Sequence, residues 1–260
     1  MHNFFFGIFP YIALAVMIIG SAARYERDPF TWKSSSSQLL RRKQLVIGSI
    51  LFHVGVLVIF VGHLFGLLIP QQIYAAFGIH AEAKQLLAAS VGGIAGIVAI
   101  IGGVMLAHRR LSDPRIRANS SFWDTAIIVI LVVQLALGLI SVPYSIANYE
   151  HGEVLLFMSW AQGIFTFQPD AASHILQVPL IYKLHIVLGL MIFVLFPFTR
   201  LVHIVSGIAA PFRFLFARSG YQLVRSRRSQ SLPTRSGPVS APRNVVDPKS
   251  GPDAAAKPAE

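Results

Sequence analysis

The sequence predicts an all-α membrane protein in which five transmembrane helices form one domain over residues 1–228. Hydrophobic residues make up 54% of the chain and charged residues only 13%, with a mean hydropathy of +0.62. These values are typical of a membrane protein and not of a soluble one. Five apolar segments approach the length of about 20 residues that a helix needs to cross a bilayer. Basic residues are concentrated in alternate connections between these segments.

The five predicted spans are the apolar runs that are long enough for a helix to cross the hydrocarbon core. They are Phe4–Ala23, Val46–Ile69, Gln85–Ala107, Thr125–Val142 and Leu180–Val205. The fourth is close to the lower length limit, and the fifth is interrupted by Pro197 and Arg200, which leaves its far end open. The cations of the first span follow its apolar run, whereas those of a signal peptide precede it. We therefore predict that the first span is retained as a helix.

The distribution of basic residues predicts the orientation of the spans. Arginine and lysine are abundant in the connections 24–43 and 108–118 and after the fifth span, whereas the other two connections contain only Lys84, with Lys183 at the start of the fifth span. The positive-inside rule then places the N-terminus outside and the C-terminus in the cytoplasm. The net charge of +11 is therefore interpreted as a topology signal that also attracts anionic membrane lipid, and nucleic-acid binding is disfavoured.

The regions outside the spans contain no predicted soluble domain. Of the two outer connections, Pro70–Lys84 and Pro143–Pro179, the second contains an amphipathic stretch, Val154–Phe167, that we predict lies on the membrane surface. Residues 229–260 are rich in Ser, Pro, Ala and charge, and this composition predicts a disordered cytoplasmic tail. A chain without a soluble domain has little room for substrate chemistry, so we expect it to work with partner proteins.

Four histidines lie within two of the predicted spans. His53 and His63 are in the second span, and His185 and His203 are in the fifth. An imidazole inside the hydrocarbon core is costly, so each of these residues is a functional candidate by default. Two axial histidines on a haem iron make a six-coordinate electron-transfer centre. We therefore predict two bis-histidine haems b, stacked between the second and fifth helices.

The direction of the spans predicts which histidines pair. The second span runs from inside to outside and the fifth runs back, so His53 pairs with His203 near the inner side and His63 pairs with His185 near the outer side. On ideal helices, the fifth-span histidines are separated by a rise of about 27 Å and the second-span histidines by about 15 Å. The two rises differ by about 12 Å. The helices and the haem must tilt to compensate for this difference, mostly at the inner pair.

Glycines on the second span predict either space for a porphyrin or close helix packing. Gly55, Gly62 and Gly66 are spaced by seven and four residues, which places them near one face of the helix. Small residues of this kind also allow two membrane helices to approach closely. The sequence leaves both interpretations open.

A haem propionate is an anion and favours a cation at the membrane edge. Arg200 precedes His203 by about one turn, and we predict that it binds a propionate of the inner haem. Arg109 and Arg110 are weaker candidates for the same role. The alternative for Arg200 is that its side chain extends to the lipid headgroups.

The absence of cysteine limits the redox chemistry of this chain. With no Cys, the protein has no disulfide, no thiolate-ligated haem, no cysteine-ligated cluster and no covalent c-type haem attachment. A haem-free transporter that uses intramembrane histidines to carry protons remains an alternative. An ion channel is less favoured because no acidic ring or pore motif is present.

Longer stretches around the histidines support a family resemblance. The second span contains FHVGVLVIFVGHLFG (Phe52–Gly66), and the fifth contains KLHIVLGLMIFVLFPFTRLVHI (Lys183–Ile204). Both resemble helices of the gamma subunit, cytochrome b, of membrane-bound respiratory nitrate reductase. So do the stretches RYERDPFTWKSSSSQLLRRK, HRRLSDPRIRA and YQLVR. The resemblance covers roughly residues 4–228, and the tail after about residue 229 departs from the shorter family pattern.

The resemblance implies a dihaem membrane subunit that oxidises quinol beside the outer haem. It also implies an iron–sulfur electron-transfer subunit and a molybdenum-containing catalytic subunit as partners on the cytoplasmic face. Lys84, within AEAKQLL, falls at the family's quinol-site lysine, and Gly66 is expected to shape the same pocket. A lysine there can hydrogen-bond a quinol oxygen, although an interfacial anchor is the alternative.

A second redox function shares the paired histidines. A haem b anchor of another quinone-linked complex, such as a sulfur-cycle or heterodisulfide reductase, would also place two histidines on each of two antiparallel spans. The matches in the arginine-rich connection and near the C-terminus favour nitrate reductase over this alternative.

Overall fold

A computed structural model describes residues 1–27 and 40–205. Within these ranges the chain is helical and has no strand, which confirms the predicted all-α fold. Five helices are long and apolar enough to cross a membrane, namely Phe4–Arg27, Arg42–Leu68, Ala81–Ser112, Phe122–Ala147 and Leu180–Phe198. The tail predicted at 229–260 lies outside the described residues.

The helices are numbered in chain order. They are α1 (Phe9–Arg27, preceded by a π-helical turn at Phe4–Ile8), α2 (Arg42–Leu68), α3 (Gln71–Ala76), α4 (Ala81–Ser112), α5 (Pro114–Ala118), α6 (Phe122–Ala147), α7 (Val154–Phe165) and α8 (Leu180–Leu195). Local signals define several ends. For example, α6 begins where Ser121 and Asp124 form a reciprocal capping box, which satisfies backbone N–H groups that have no partner within the helix. Asp113 caps α5 by accepting from two backbone N–H groups.

The long helices pack in an arc in the order α2, α4, α6, α8 and α1. Small residues permit the closest approach, which is typical of membrane helices. A Cβ atom added at Gly55 of α2 would lie only 2.5 Å from the Ala95 carbonyl oxygen of α4. Gly55 is therefore a packing residue, and its predicted alternative role as space beside a porphyrin is wrong.

The second and fifth spans, which contain the four histidines, are separated along this arc. Helix α2 packs mainly on α4, whereas α8 packs on α6 and α1. Within the described residues, α2 and α8 share almost no close backbone contact. Side chains that reach across from these two helices therefore meet without tight packing between the helices.

The beginning of the chain packs against segments that are distant in sequence. The Trp160 indole of α7 donates to the Phe6 carbonyl oxygen at 2.8 Å, and His2 Nε2 lies 2.8 Å from the Ala172 carbonyl oxygen. Helix α1 then packs along α8. These contacts place the first span beside the last one and close the bundle at that edge.

The fifth span is not one continuous helix. Helix α8 ends at Leu195, and two 3₁₀ turns, Phe196–Phe198 and Arg200–Val202, flank Thr199, whose backbone is extended (φ −117°, ψ −179°). Pro197 causes the interruption, because proline has no N–H to donate and its ring collides with the preceding turn. The interruption that Pro197 indicated in the sequence is therefore present, and the rise of about 27 Å that an ideal helix gives between His185 and His203 does not apply beyond Leu195.

Candidate functional site formed by two histidine pairs

The structure brings together the four histidines in the pairs that the sequence predicts. The ring centres of His53 and His203 are 6.2 Å apart, with an angle of 71° between the ring planes. The ring centres of His63 and His185 are also 6.2 Å apart, with an angle of 36°. Both pairs join the second span to the fifth, at two levels of the bundle.

This separation fits a metal bound between two imidazoles. Bonds of about 2 Å from each nitrogen to the metal place the two donor nitrogens about 4 Å apart, and the ring centres lie further out, at about 6 Å. A direct hydrogen bond between two imidazoles would bring the donor nitrogens to about 3 Å. The repeated value of 6.2 Å thus agrees with one bridging metal ion in each pair.

Three of the four rings are held by a hydrogen bond to a backbone carbonyl one turn earlier in the chain. The contacts are His53 Nδ1 to Ser49 (2.8 Å), His63 Nδ1 to Ile59 (2.8 Å) and His203 Nδ1 to Arg200 (2.6 Å). A carbonyl only accepts, so each Nδ1 carries the proton and each Nε2 keeps its lone pair. This is the tautomer that a metal-ligating histidine needs, with the second nitrogen fixed by a hydrogen bond.

The fourth ring, His185, is positioned by α6. The Gln134 side chain donates to the His185 carbonyl oxygen at 3.0 Å and lies 3.3 Å from His185 Nε2. The His185 ring also lies against Gly138, where an added Cβ atom would be 3.1 Å from Cε1. Sequence analysis missed both α6 residues, although a lone glutamine within a long apolar helix was a usable signal.

Two of the four α2 glycines face open space. An added Cβ atom at Gly62 or Gly66 would meet no heavy atom within 4 Å. Both lie next to His63 on the same helix, either one residue before it or three residues after it. This side of α2 can therefore accommodate a flat ring, in contrast to the side that carries Gly55.

The predicted quinol-site lysine is buried at the first turn of α4. Lys84 is only 4% exposed, with its ammonium 3.6 Å from the centre of the Tyr74 ring and 3.0 Å from the sulfur of Met158. Among residues 1–27 and 40–205, no carboxylate lies within ion-pair distance of it. A buried ammonium without a carboxylate is costly, so this site favours an additional polar or anionic ligand.

Hydrogen bonds from Tyr74 and from Gln162 connect the region around Lys84 to α2, the helix that contains His63. The Tyr74 hydroxyl donates to the Phe65 carbonyl oxygen at 2.9 Å, and burial raises the pKa of Tyr74, so it remains a donor at neutral pH. Gln162 of α7 donates to the carbonyl oxygen of Leu67 at 3.0 Å. Tyr74, whose ring lies against the Lys84 ammonium, therefore links the lysine to the end of α2 near Gly66.

The opposite end of the bundle contains an arginine cluster around Asp124. Arg200 Nε lies 4.0 Å from one Asp124 oxygen, and Arg110 Nη1 lies 3.9 Å from the other. Arg109 instead donates to the Leu40 carbonyl oxygen at 2.6 Å. Of the three predicted propionate partners, Arg200 and Arg110 both face Asp124, whereas Arg109 donates to the backbone of Leu40.

Comparison with known protein families assigns the chain. A family model described as nitrate reductase gamma subunit matches residues 2–227. The chain belongs to the nitrate reductase gamma subunit family. The match includes every described residue from position 2 onward, so the two histidine pairs, Lys84 and the arginine cluster all lie within it.

Three relatives of the gamma subunit family are similar over most of their length. The respiratory nitrate reductase 1 gamma chain of Escherichia coli (strain K12) is 45% identical over 227 residues, which cover 87% of this chain and 98% of that protein. The respiratory nitrate reductase 2 gamma chain of the same organism is 46% identical, with coverage of 88% and 98%. The nitrate reductase gamma chain of Bacillus subtilis (strain 168) is 42% identical, with coverage of 77% and 89%.

Family membership and the five spans together define what kind of protein this is. It is the membrane subunit of a nitrate reductase, an oxidoreductase complex, and it associates with other subunits of that complex. Its five apolar helices make it a multi-pass inner membrane protein. Of the functions that the sequence left open, the family assignment favours nitrate reductase over a sulfur-cycle anchor or a haem-free transporter.

Proposed function

We propose that this gamma subunit is a dihaem cytochrome b that oxidises quinol on the outer side of the membrane and delivers the electrons to partner subunits on the cytoplasmic side. The observation that carries the proposal is the meeting of two histidine pairs, each with ring centres 6.2 Å apart. An iron–sulfur subunit would receive the electrons, and a molybdenum-containing subunit would reduce nitrate.

The four histidines are the proposed axial ligands of two haems b. His53 and His203 would hold the inner haem, and His63 and His185 the outer one. Held by one histidine from each of the two spans, each haem would supply one-electron transfer. In His53, His63 and His203, the hydrogen bond at Nδ1 makes Nε2 a better donor to iron and fixes the direction in which the ring faces.

Arg200 is the proposed cation for a propionate of the inner haem. It belongs to the same short segment as His203, and its carbonyl oxygen already accepts from the ring of His203. Asp124 lies 4.0 Å from its guanidinium and helps to hold it in place. A buried or half-buried guanidinium offers the charge-assisted hydrogen bonds that a carboxylate prefers.

The proposed quinol site is at the other end of the bundle, next to Lys84. Oxidation of one quinol releases two electrons and two protons, and the protons have to leave the quinol oxygens. The Lys84 ammonium would hydrogen-bond one oxygen and stabilise the negative charge that remains when its proton departs, an effect that is large in a site of low dielectric constant. Gly66 has no side chain to occupy the same space.

The proposed orientation has the N-terminus outside and the C-terminus in the cytoplasm. Basic connections at 24–43 and 108–118 would then face the cytoplasm and offer a docking surface for the partner subunits. The predicted docking segment Phe212–Arg228 lies outside the described residues. Electrons that move inward while protons are released outside would build a membrane potential, worth about 2.3 kcal/mol per charge per 100 mV.

The test is a visible difference spectrum of membranes that contain this chain together with its partner subunits. We expect a low-spin b-type spectrum after reduction by dithionite, the same bands after addition of a quinol, and reoxidation by nitrate. Absence of haem from folded, haem-supplied protein would contradict the histidine assignment. Haem that quinol reduces but nitrate does not reoxidise would contradict nitrate as the acceptor and leave the cytochrome assignment intact.

A further inference from the structure

The interruption of the fifth span removes two helical hydrogen-bond donors. In a continuous helix, the carbonyl oxygens of Pro197 and Thr199 would accept from the N–H groups of Leu201 and His203. Instead, the Leu201 N–H donates to the Thr199 hydroxyl at 3.4 Å, and the His203 N–H turns to the Arg200 and Leu201 carbonyl oxygens. Both earlier carbonyl groups therefore need donors from elsewhere, because a break in a membrane helix is tolerated only where neighbours satisfy the backbone.

Arg24 of α1 provides the replacement donors. Its Nη1 donates to the Pro197 carbonyl oxygen at 2.7 Å and to the Thr199 carbonyl oxygen at 2.8 Å. These are charge-assisted hydrogen bonds, which are stronger than bonds between neutral groups. A single guanidinium thus connects both sides of the broken segment to the first span.

The shape of α1 is complementary to the same break. Gly20 lies one turn before Arg24, and an added Cβ atom there would be 2.8 Å from Cγ of Pro197. The glycine therefore admits the proline ring at close range, and the arginine reaches past it to the carbonyl oxygens. Two features of α1 therefore fit the interrupted span. Gly20 leaves room for the Pro197 ring, and the Arg24 guanidinium reaches the two carbonyl oxygens.

We propose that Arg24 is a positioning residue for His203. The segment from Thr199 to His203 is held by Arg24 at its first residue and by the bond from His203 Nδ1 to the Arg200 carbonyl oxygen at its last. Loss of the Arg24 contacts frees the segment that aims the His203 ring at His53. The inference rests on the proposed function in one respect, namely that these two histidines ligate the inner haem.

The experiment compares Arg24→Ala with the matched control Arg27→Ala in the assembled complex. Arg27 belongs to the same last turn of α1 and has the same charge, but its side chain is exposed. Redox titration of the haem bands gives one midpoint potential for each haem, and the component that is missing from His53→Ala identifies the inner haem. Hydrogen–deuterium exchange of residues 199–205 provides a second measurement that does not depend on haem.

We expect Arg24→Ala to shift the midpoint potential or lower the occupancy of the inner haem while the outer haem stays unchanged. Amide exchange at Leu201 to His203 should rise by about 10- to 100-fold, the range that corresponds to loss of a hydrogen bond to a charged group. Arg24→Lys keeps the charge and can reach one carbonyl oxygen, so it should show a smaller change in the same haem and the same amides. It also replaces Arg24→Ala if that variant does not assemble.

Three results would overturn the positioning role. They are unchanged exchange and unchanged potentials in Arg24→Ala, equal changes in both haems, and equal effects of Arg24→Ala and Arg27→Ala. Wild-type complex that contains no haem would contradict the proposed function instead, and the exchange measurement would still decide whether Arg24 holds the segment.

Discussion

At the scale of single residues, Lys84 has the most unusual surroundings. A buried ammonium normally lies beside a carboxylate, but Lys84 contacts a ring face and a thioether. Such partners keep the charge in place without neutralising it. The positive charge of Lys84 therefore remains available to a ligand. This is the arrangement expected where negative charge develops during a reaction.

We expect Lys84→Ala to slow quinol-driven haem reduction by about 100-fold or more, the usual range for loss of a positioned proton-transfer or charge-stabilising group. Both haems should remain bound, because the lysine is not a ligand. Stopped-flow reduction by a quinol measures the rate, and dithionite reduction measures haem content. Lys183→Ala is the matched control, since that lysine donates to the Leu176 carbonyl oxygen. Normal quinol kinetics in Lys84→Ala would refute the role.

Gly138 provides a second prediction at this scale. We expect Gly138→Val to displace the His185 ring, because a Cβ atom alone would already lie 3.1 Å from Cε1 and the γ-methyl groups need further space. The haem on His63 and His185 should be lost or shifted in potential, while the haem on His53 and His203 serves as the internal control. Gly138→Ala should show a smaller change in the same direction. A redox titration with two unchanged components in Gly138→Val would contradict this prediction.

Sequence reasoning was effective for residues whose chemistry is conspicuous in an apolar run. The four histidines are visible because ionisable groups are rare in membrane spans, whereas Lys84 was singled out by the family resemblance. Gln134, Gly138 and Tyr74 were missed, because their importance depends on what they contact in other helices. A glycine on α6 is informative only when the ring that lies against it is known.

At the scale of elements, the interruption of the fifth span explains why both histidine pairs have the same distance between ring centres. The histidines are separated by 10 residues in the second span and by 18 in the fifth. Two ideal helices would leave a mismatch of about 12 Å between the histidine separations, yet both pairs have ring centres 6.2 Å apart. The turns around Thr199 alter the path of the chain between His185 and His203. Pro197 marked an interruption in the sequence, but the direction of the chain after it depends on α1.

The contact between α2 and α4 gives a prediction for this scale. An added Cβ atom at Gly55 would lie 2.5 Å from a backbone oxygen and 2.7 Å from the Ala99 side chain, whereas one at Gly92 would meet nothing within 4 Å. We expect Gly55→Ala to force the helices apart and to lower the free energy of unfolding by about 1–3 kcal/mol. Gly92→Ala should be neutral or slightly stabilising. Thermal unfolding of the purified protein compares the two variants, and equal melting temperatures would contradict the packing role.

At the scale of the whole molecule, the orientation in the membrane can be tested directly because the chain contains no cysteine. We expect a membrane-impermeant thiol reagent, added to intact spheroplasts, to label Asp170→Cys and not Asn119→Cys. Both positions are exposed, and they follow α7 and α5 in connections on opposite sides of the proposed topology. Permeabilised cells should show labelling of both, which controls for reactivity. The reverse pattern in intact spheroplasts would invert the topology.

The global fold was the most predictable level, because span number and charge distribution are properties of composition and length. The boundaries of the helices were less predictable. The helices Arg42–Leu68 and Ala81–Ser112 extend past the apolar runs that predicted them, since polar residues continue a helix until a cap or a turn ends it. The order of packing around the arc required the structure.

The contact between the first and last spans has a consequence for the synthesis of the protein. Arg24 is 173 residues away from Pro197 along the chain, so at translation rates of about 5–20 residues per second the first helix waits roughly ten to thirty-five seconds for its partner. Until His185 is added, four helices can already reside in the membrane, but neither histidine pair exists. A ribosome that stops before His185 therefore releases a product that inserts into the membrane and has no complete cofactor site.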